Sequence, residues 1–115
     1  MKLYTLDSIQ LIEKPIEDVF NFFSKPENLS IITPQKLGFK LLTPTPIKMG
    51  TGCIIDYKIY LIKIPIHWRT LITDFNPPHM FVDQQIKGPY TMWHHTHTFQ
   101  EVEDGVEIRD KVVYS

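Results

Sequence analysis

The stretch that decides the fold is 88-GPYTMWHHTHTF-99. Gly88-Pro89 is a turn signal, and because proline cannot donate a hydrogen bond within a sheet, the pair predicts a strand that begins at Tyr90. Successive side chains of a strand point to opposite faces. One face should therefore carry two large aromatic rings and two imidazoles, those of Trp93, His95, His97 and Phe99. Such a face is more typical of a pocket wall than of a plain core.

The composition of the chain limits what it can be. Its 115 residues are enough for one domain with a modest hydrophobic core. Hydrophobic residues make up 43% and charged residues 22%, as is usual for a soluble globular protein. The formal net charge is −1, and no segment of the sequence concentrates Lys or Arg. Electrostatic capture of nucleic acid or of an anionic membrane is therefore not predicted.

The chain shows no targeting segment or membrane span. Asp7 comes too early for a signal peptide, and the longest apolar run, residues 59–66, is interrupted by Lys63 and Pro65. A single cysteine, Cys53, excludes an internal disulfide and a multi-cysteine zinc site. We expect a soluble, cytoplasmic protein.

Residue patterns predict an α+β chain with helices near the front. Residues 3–12 are typical of a strand, and a short helix follows Pro15 because Ile16, Val19, Phe20 and Phe23 have helical spacing. A second short helix starts at Pro26 and ends before Pro34. The remaining strands are predicted at residues 37–42, 53–61, 66–73, 80–86, 90–99 and 106–114. Short turns join them, so we expect a curved antiparallel sheet of about six to seven strands.

Several groups of residues carry a resemblance to a known family. They are 26-PENL-29 with Thr33-Pro34; Trp68 with Thr70 and Ile72; 81-FVDQQ-85; Gly88-Pro89-Tyr90 with Trp93, His95, His97 and Phe99; and Asp110 with Val112 and Tyr114. The sequence resembles the START-like or SRPBCC superfamily of helix-grip ligand-binding domains. That superfamily includes polyketide cyclase/dehydrases and the pollen-allergen type. The resemblance is strongest to small bacterial stand-alone members described as cyclase-like or coenzyme-Q-binding-like.

The resemblance implies a curved antiparallel sheet wrapped around a long C-terminal helix, with a hydrophobic cavity between them. That helix is absent from the sequence, which stops at Ser115 in or just after the last predicted strand. We therefore expect residues 1–115 to be one START-like domain that either is C-terminally incomplete or covers its concave face by forming a homodimer. Without such cover, several apolar side chains should face water: Tyr57, Ile59, Trp68, Ile72, Trp93 and Phe99.

Alternation along the strands, together with the resemblance, predicts the side chains that face the cavity. Alternation does not settle the face of Asp83, because Val82 and Ile86 are apolar on the other face; the family pattern places Asp83 inward. The predicted ligand-binding residues are Tyr57, Trp68, Asp83, Gln85, Trp93, His95, His97, Phe99 and Asp110. Buried carboxylates and imidazoles must pair or form hydrogen bonds. Such a network could simply fix strand register, or it could bind the polar end of a ligand or carry a proton.

Two functions fit these residues. The first is binding of a small hydrophobic molecule, such as a lipid, a polyketide-like aromatic or a quinone. The second is a cyclase/dehydrase-type enzyme, in which an imidazole removes an acidic proton from an enolisable ketone and an acid assists loss of water. The candidate catalytic groups are then His95 or His97 with Asp83 or Asp110. We favour binding.

A metal site is also conceivable, since His95 and His97 share a face and an aspartate could complete a ligand set. The resembled family is not a metalloprotein family, and the sequence holds no other ligand cluster. We therefore expect no metal and no cofactor. The sequence also has no nucleophile elbow, phosphate loop or dinucleotide fingerprint.

Overall fold

A computed structural model of the protein describes residues 2–115. The predicted α+β class and the curved antiparallel sheet are confirmed, and the sheet has seven strands. The helices are α1 (Ile16–Phe23) and α2 (Leu29–Ile32), with 3₁₀ turns at Pro26–Asn28 and Gln35–Leu37. The strands are β1 (Tyr4–Ile12), β2 (Lys40–Leu41), β3 (Ile54–Leu61), β4 (Ile64–Asn76), β5 (Met80–Lys87), β6 (Trp93–Val102) and β7 (Gly105–Tyr114).

The strands form one sheet in the order β1-β7-β6-β5-β4-β3-β2. Strands β2 to β7 follow one another as antiparallel neighbours, and the predicted hairpin partnership of β5 with β6 is confirmed. Strand β1 pairs with β7, and Arg109 donates to Asp7 from Nε (3.0 Å) and Nη2 (2.6 Å) across this pair. The β4–β5 register shifts at two places, and such irregularities bend a strand and increase its twist.

Helix α1 supplies the main core contact on the concave face of the sheet. It follows Pro15, places Glu17 and Asp18 in its first turn, where the helix dipole favours acids, and buries Ile16, Val19 and Phe20. The Phe20 ring lies 5.1 Å from that of Phe99, 5.6 Å from Phe75 and 5.9 Å from Phe81. None of the helices in residues 2–115 is long and apolar enough to cross a membrane.

Several predicted strand boundaries are wrong: β4 extends beyond residues 66–73 in both directions, and β2 and β6 start later than predicted. The strand expected at residues 37–42 shrinks to Lys40–Leu41, because Gln35–Leu37 forms a 3₁₀ turn that ends with Gly38 in the left-handed conformation (φ 55°). Strand β6 begins at Trp93 and not at Tyr90. The side-chain amide of Gln85 takes the place of a neighbouring strand at Tyr90, donating to its carbonyl (2.7 Å) and accepting from its N–H (3.1 Å).

The expectation that the concave face is bare is also wrong for most of its side chains. Ile59, Trp68, Ile72 and Phe99 are each at most 9% exposed, while Tyr57 and Trp93 are half-buried. Helix α1 covers one end of the face. At the other end, Tyr90 in the turn before β6 packs 5.7 Å from Trp68 and 4.8 Å from Trp93, measured between ring centroids. The homodimer and the further helix stay predictions.

Candidate functional site

A cavity of about 340 Å³ lies between the concave face of the sheet and the helical segment. Its helical wall, which the sequence did not predict, is formed by Phe23, Ser24, Lys25, Pro26, Leu29 and Ile32. Met49 adds to it from the loop before β3, and the sheet contributes Gln10, Ile55, Tyr57, Trp68, Thr70, Ile72, Phe81, Asp83, Trp93, His95, His97 and Asp110. The wall is thus largely apolar, with one compact polar cluster.

That polar cluster contains two aspartates and two histidines from three adjacent strands, Asp83, His95, His97 and Asp110, and we call it the His–Asp quartet. Strand register brings the four together: Asp83 on β5 is directly opposite His95 on β6, and His97 is directly opposite Asp110 on β7. Directly opposed side chains on one face of an antiparallel pair lie in contact distance. The sequence predicted that at least one of these histidines forms a hydrogen bond with Asp83, Gln85 or Asp110, and both do so, His95 with Asp110 and His97 with Asp83.

The quartet forms a ring of alternating imidazoles and carboxylates that is open at one contact. His97 Nε2 lies 2.6 Å from Asp83 Oδ2, and His97 Nδ1 lies 3.1 Å from Asp110 Oδ1. His95 Nε2 lies 3.0 Å from the same Asp110 oxygen, whereas His95 Nδ1 is 3.7 Å from Asp83 Oδ2. The two imidazoles stack with their centroids 3.6 Å apart. Three of the four contacts are therefore of hydrogen-bond length, and one is not.

These distances indicate which histidine carries the positive charge. A carboxylate only accepts hydrogen bonds, and a neutral imidazole has a single N–H. Both ring nitrogens of His97 lie within 3.1 Å of a carboxylate oxygen, and these surroundings favour an imidazolium; the Nε2–Asp83 contact has hydrogen-bond geometry. His95 forms one hydrogen bond, between Nε2 and Asp110, and its Nδ1 has no carboxylate of residues 2–115 within hydrogen-bond distance.

Electrostatics agrees with this assignment. Burial lowers the pKa of His97, but hydrogen bonds to Asp110 and Asp83 and the charges of both carboxylates outweigh burial and raise it above 6.5. Burial also opposes the charged form of Asp110 and so raises its pKa, but hydrogen bonds from His95 and His97 outweigh burial and hold the pKa below 3.8. Both shifts favour the ionised pair.

We expect these shifts to make the quartet most stabilising at mildly acidic pH. A histidine whose folded-state pKa lies above 6.5 stabilises the fold below that value, and the effect is lost as the pH rises through the raised pKa. An aspartate whose folded-state pKa lies below 3.8 stabilises the fold above that value, and the effect is lost as the pH falls through the lowered pKa.

The free energy of unfolding should therefore decrease as the pH rises from about 6 through the raised pKa of His97, and the decrease should be much smaller in a His97→Asn variant. Urea unfolding at several pH values measures it. The exposed His79 offers a matched control, since His79→Asn should keep the wild-type profile. Parallel profiles for wild type and His97→Asn would contradict the assignment of charge to His97.

The aromatic part of the wall contains an unsatisfied donor. The indole Nε1 of Trp68 is buried and has no hydrogen-bond partner within residues 2–115. Tyr57 stacks on Trp68 with centroids 5.8 Å apart, and burial raises the pKa of the Tyr57 phenol, so the hydroxyl keeps its proton and can donate. Buried donors in native structures nearly always have an acceptor. Trp68 thus places in the wall of the cavity a buried donor without an acceptor among the described residues.

Asp83, His95 and His97 are the residues of the cavity wall that could bind a metal ion together. One ligand atom each from Asp83, His95 and His97 fall within 4.8 Å of one another. However, the two imidazoles are stacked (25° between planes, 3.6 Å between centroids), and because each lone pair lies in the plane of its ring, a metal ion bound by both would lie out of at least one ring plane. As placed, the three groups fit hydrogen bonding better than metal coordination.

The predicted site residues fall into two groups. Seven of them line the cavity together: Tyr57, Trp68, Asp83, Trp93, His95, His97 and Asp110. Gln85 and Phe99 do not, because the Gln85 amide is bound to the backbone of Tyr90 and Phe99 packs against Phe20 in the core. Sequence reasoning missed Gln10 and Thr70; each lies on the inner face by strand alternation, but neither stands out by residue type.

Comparison with known proteins identifies the fold. No protein-family model and no curated protein matches the sequence. Among solved structures, protein CV1439 from Chromobacterium violaceum matches with a TM-score of 0.77 and 13% identity over 95% of this chain and 78% of that one. Ara h 8.0201 matches with a TM-score of 0.72 and 10% identity over 99% and 79%. The di-domain ARO/CYC StfQ from the steffimycin biosynthetic pathway matches with a TM-score of 0.76 and 11% identity over 98% and 37%.

The chain therefore has the START-like, helix-grip fold, as its sequence resemblance implied. Its sheet and two front helices match that fold, without a long C-terminal helix in residues 2–115. At identities of 10–13% the likeness establishes the fold alone, so function must be argued from the cavity.

Proposed function

We propose that the cavity binds a small hydrophobic molecule that carries a hydrogen-bond acceptor. The observation that carries this proposal is the buried, unpartnered indole N–H of Trp68 in a wall of aromatic rings. An apolar pocket with a few placed polar groups is the usual form of a small-molecule site, and about 340 Å³ lies near the lower end of the usual size range. The fold neighbour StfQ, a di-domain ARO/CYC of the steffimycin biosynthetic pathway, is an example of this fold in small-molecule biosynthesis.

The shape and chemistry of the wall favour one ligand class among those predicted. Tyr57, Trp68 and Trp93 offer aromatic faces and edges, which suit a flat ring system. A ring carbonyl would accept from the indole N–H, whereas a saturated acyl chain would leave it unpaired. We therefore place aromatic ketones and quinones, which include the polyketide-like aromatics, ahead of simple lipids.

Calorimetric titration with a naphthoquinone, an anthraquinone and a medium-chain fatty acid tests the proposal. Trp68→Phe keeps an aromatic wall but removes the N–H, so it should weaken quinone binding about tenfold and leave fatty-acid binding nearly unchanged. Trp93→Phe is the matched control, because it removes the other indole from the same wall. Equal quinone affinity in wild type and Trp68→Phe, or no binding of any of the three probes, would contradict the proposal.

The quartet supports a second candidate, a cyclase/dehydrase-type enzyme. It holds an imidazole with a free lone pair, His95, beside an imidazolium, His97, in the wall of one cavity. His95 Nδ1 would take a proton from the carbon next to a ketone, forming the enolate. His97 would then give a proton to a β-hydroxyl as its C–O bond breaks, releasing water and leaving the conjugated ketone. Separate acid and base states in neighbouring groups are the usual requirement of such chemistry.

Dehydration of an aromatic β-hydroxy ketone, followed by absorbance of the conjugated product, tests the enzyme candidate. His95→Gln should lower kcat about 100-fold or more while changing the affinity for a quinone by less than about threefold. A wild-type rate equal to that of buffer would exclude this activity for the substrate class and leave binding as the function.

A further inference from the structure

The fold collects positive charge that is dispersed along the sequence. Residues 28–73 contain six Lys or Arg residues but a single acid, Asp56, giving a net charge of +5. The rest of the chain contains six Lys or Arg residues and twelve acids, giving −6. In the sheet, β2, β3 and β4 from this segment lie next to one another at one edge. The sequence shows no local run of Lys or Arg, but strand pairing brings lysines from different parts of this segment next to one another.

A row of basic groups crosses the outer face of this edge. Lys40 on β2 is directly opposite Lys58 on β3, which in turn is directly opposite His67 on β4. These side chains point away from the cavity, because their strand neighbours Tyr57 and Trp68 point into it. Like charges placed directly opposite each other destabilise a sheet. The arrangement is thus unfavourable unless something anionic lies on it.

The one acid of the segment pairs with His67 and Arg69 and leaves the two lysines of the row without an anionic partner among the described residues. Asp56 Oδ1 accepts from Arg69 Nε at 2.8 Å and lies 2.7 Å from His67 Nε2. Neither Lys40 nor Lys58 takes part in an ion pair within residues 2–115. Both ammonium groups are therefore available to an outside anion.

The β3–β4 hairpin beside this row has an apolar tip. Its two turn residues are Ile62 and Lys63, both with positive φ (49° and 64°). Ile62 is 94% exposed, and the flanking Ile64 is 63% exposed. Turns of this kind usually contain Asn or Gly, and a β-branched residue with positive φ is strained. An exposed isoleucine in this position contributes nothing to the packing of the monomer, which points to a contact outside it.

We propose that this end of the sheet docks onto an anionic lipid bilayer, with the hairpin tip inserted at the boundary between headgroups and acyl chains. Ile62 and Ile64 would enter the apolar layer, while Lys58 and Lys40 would lie against anionic headgroups. Lys63 has a side chain long enough to bring its ammonium group back to the interface. The apolar tip favours a bilayer over a nucleic acid, which would use only the lysines. The proposal does not depend on the identity of a molecule in the cavity.

Flotation with vesicles tests the proposal on the chain as it is. Vesicles of phosphatidylcholine with about 30% phosphatidylglycerol should bind the protein at least tenfold better than phosphatidylcholine alone, and about 0.5 M salt should abolish the difference. Lys40→Gln and Lys58→Gln should each reduce partitioning about fivefold. Ile62→Asn should reduce it about tenfold, and asparagine tolerates positive φ, so the hairpin should remain folded.

The matched control is Ile9→Asn, since Ile9 is 63% exposed on β1, outside the basic segment. It should bind vesicles like wild type, and melting curves of all variants should confirm that they fold. Absence of binding to the anionic vesicles would overturn the proposal, as would an equal loss in Ile9→Asn and Ile62→Asn. Tighter, lysine-dependent binding to single-stranded DNA that ignores Ile62→Asn would overturn it in favour of a nucleic-acid surface.

Discussion

Replacing His97 with Phe is expected to lower the free energy of unfolding at about pH 6 by about 3 kcal/mol. The two side chains are similar in volume, and a phenyl ring could stack on Phe81 as His97 does now (4.0 Å between centroids), so loss of packing is a minor part. The main effect is that Asp83 and Asp110 each lose a close cationic partner. Their side chains are only 18% and 31% exposed, so water replaces that partner poorly.

Urea unfolding of four proteins isolates this cause. Adding Asp83→Leu to His97→Phe removes one stranded carboxylate, so the double variant should be more stable than His97→Phe alone. His94→Phe provides the matched control on the outer face of the same strand, because His94 forms no side-chain hydrogen bond or ion pair within the part of the chain that the structure describes. It should change stability by less than about 0.5 kcal/mol. A His97→Phe variant as stable as wild type would show that the quartet does not stabilise the fold.

A second large effect is expected at Gly105, where Ala should also lower the free energy of unfolding by about 3 kcal/mol. Gly105 opens β7 with φ of +148°, a conformation that other residues rarely adopt. A Cβ atom there would lie 2.3 Å from the carbonyl oxygen of Ile12 and 2.9 Å from the Cα of Glu13. Both are backbone atoms at the end of β1, so a side-chain rotation cannot relieve the clash.

Two other glycines provide graded controls for this prediction. A Cβ at Gly52 would meet no atom within 4 Å although φ is +92°, so Gly52→Ala should show backbone strain alone, about 1 kcal/mol. Gly50 has neither a positive φ nor a neighbour within 4 Å, and Gly50→Ala should be nearly neutral. The order of stability measured by urea unfolding should follow this series. If Gly105→Ala were no worse than Gly52→Ala, the end of β1 would have to move aside easily.

Strand alternation was sufficient to predict much of the fold and part of the cavity wall. On β6 it placed Trp93, His95 and His97 on one face, and on β7 it placed Asp110 on the face that meets them. On β5 alternation did not decide which face points to the cavity, because Val82 on one face is as apolar as a core residue. Val82 is in fact buried, on the face opposite to Asp83. Only the family resemblance predicted that Asp83 points inward, and Asp83 does lie opposite His95.

Features that depend on contacts between distant segments could not be predicted. Alternation treats each strand as straight, so it does not show the bends of β4 or how far the sheet curls over its own concave face. Gln85 was predicted to line the cavity because it alternates in phase with Asp83 along β5. Its side-chain amide instead forms two hydrogen bonds with the backbone of Tyr90. The opposed Lys40 and Lys58 are eighteen positions apart, and only strand register brings them together.

The pairing of β1 with β7 affects how the protein is made. Every residue of β1 finds its partner near the other end of the chain, from Tyr4 with Tyr114 to Ile12 with Val106. A ribosome therefore releases β1 about 90 residues before its partner strand exists, with Leu6 and Ile9 still more than half exposed in the finished sheet. Until β7 emerges, β1 has unpaired backbone groups and exposed apolar side chains, and it can associate with other nascent chains. The hairpins from β3 to β6 can form in the meantime, and β1 can join the sheet through its native pairing only after β7 has been made.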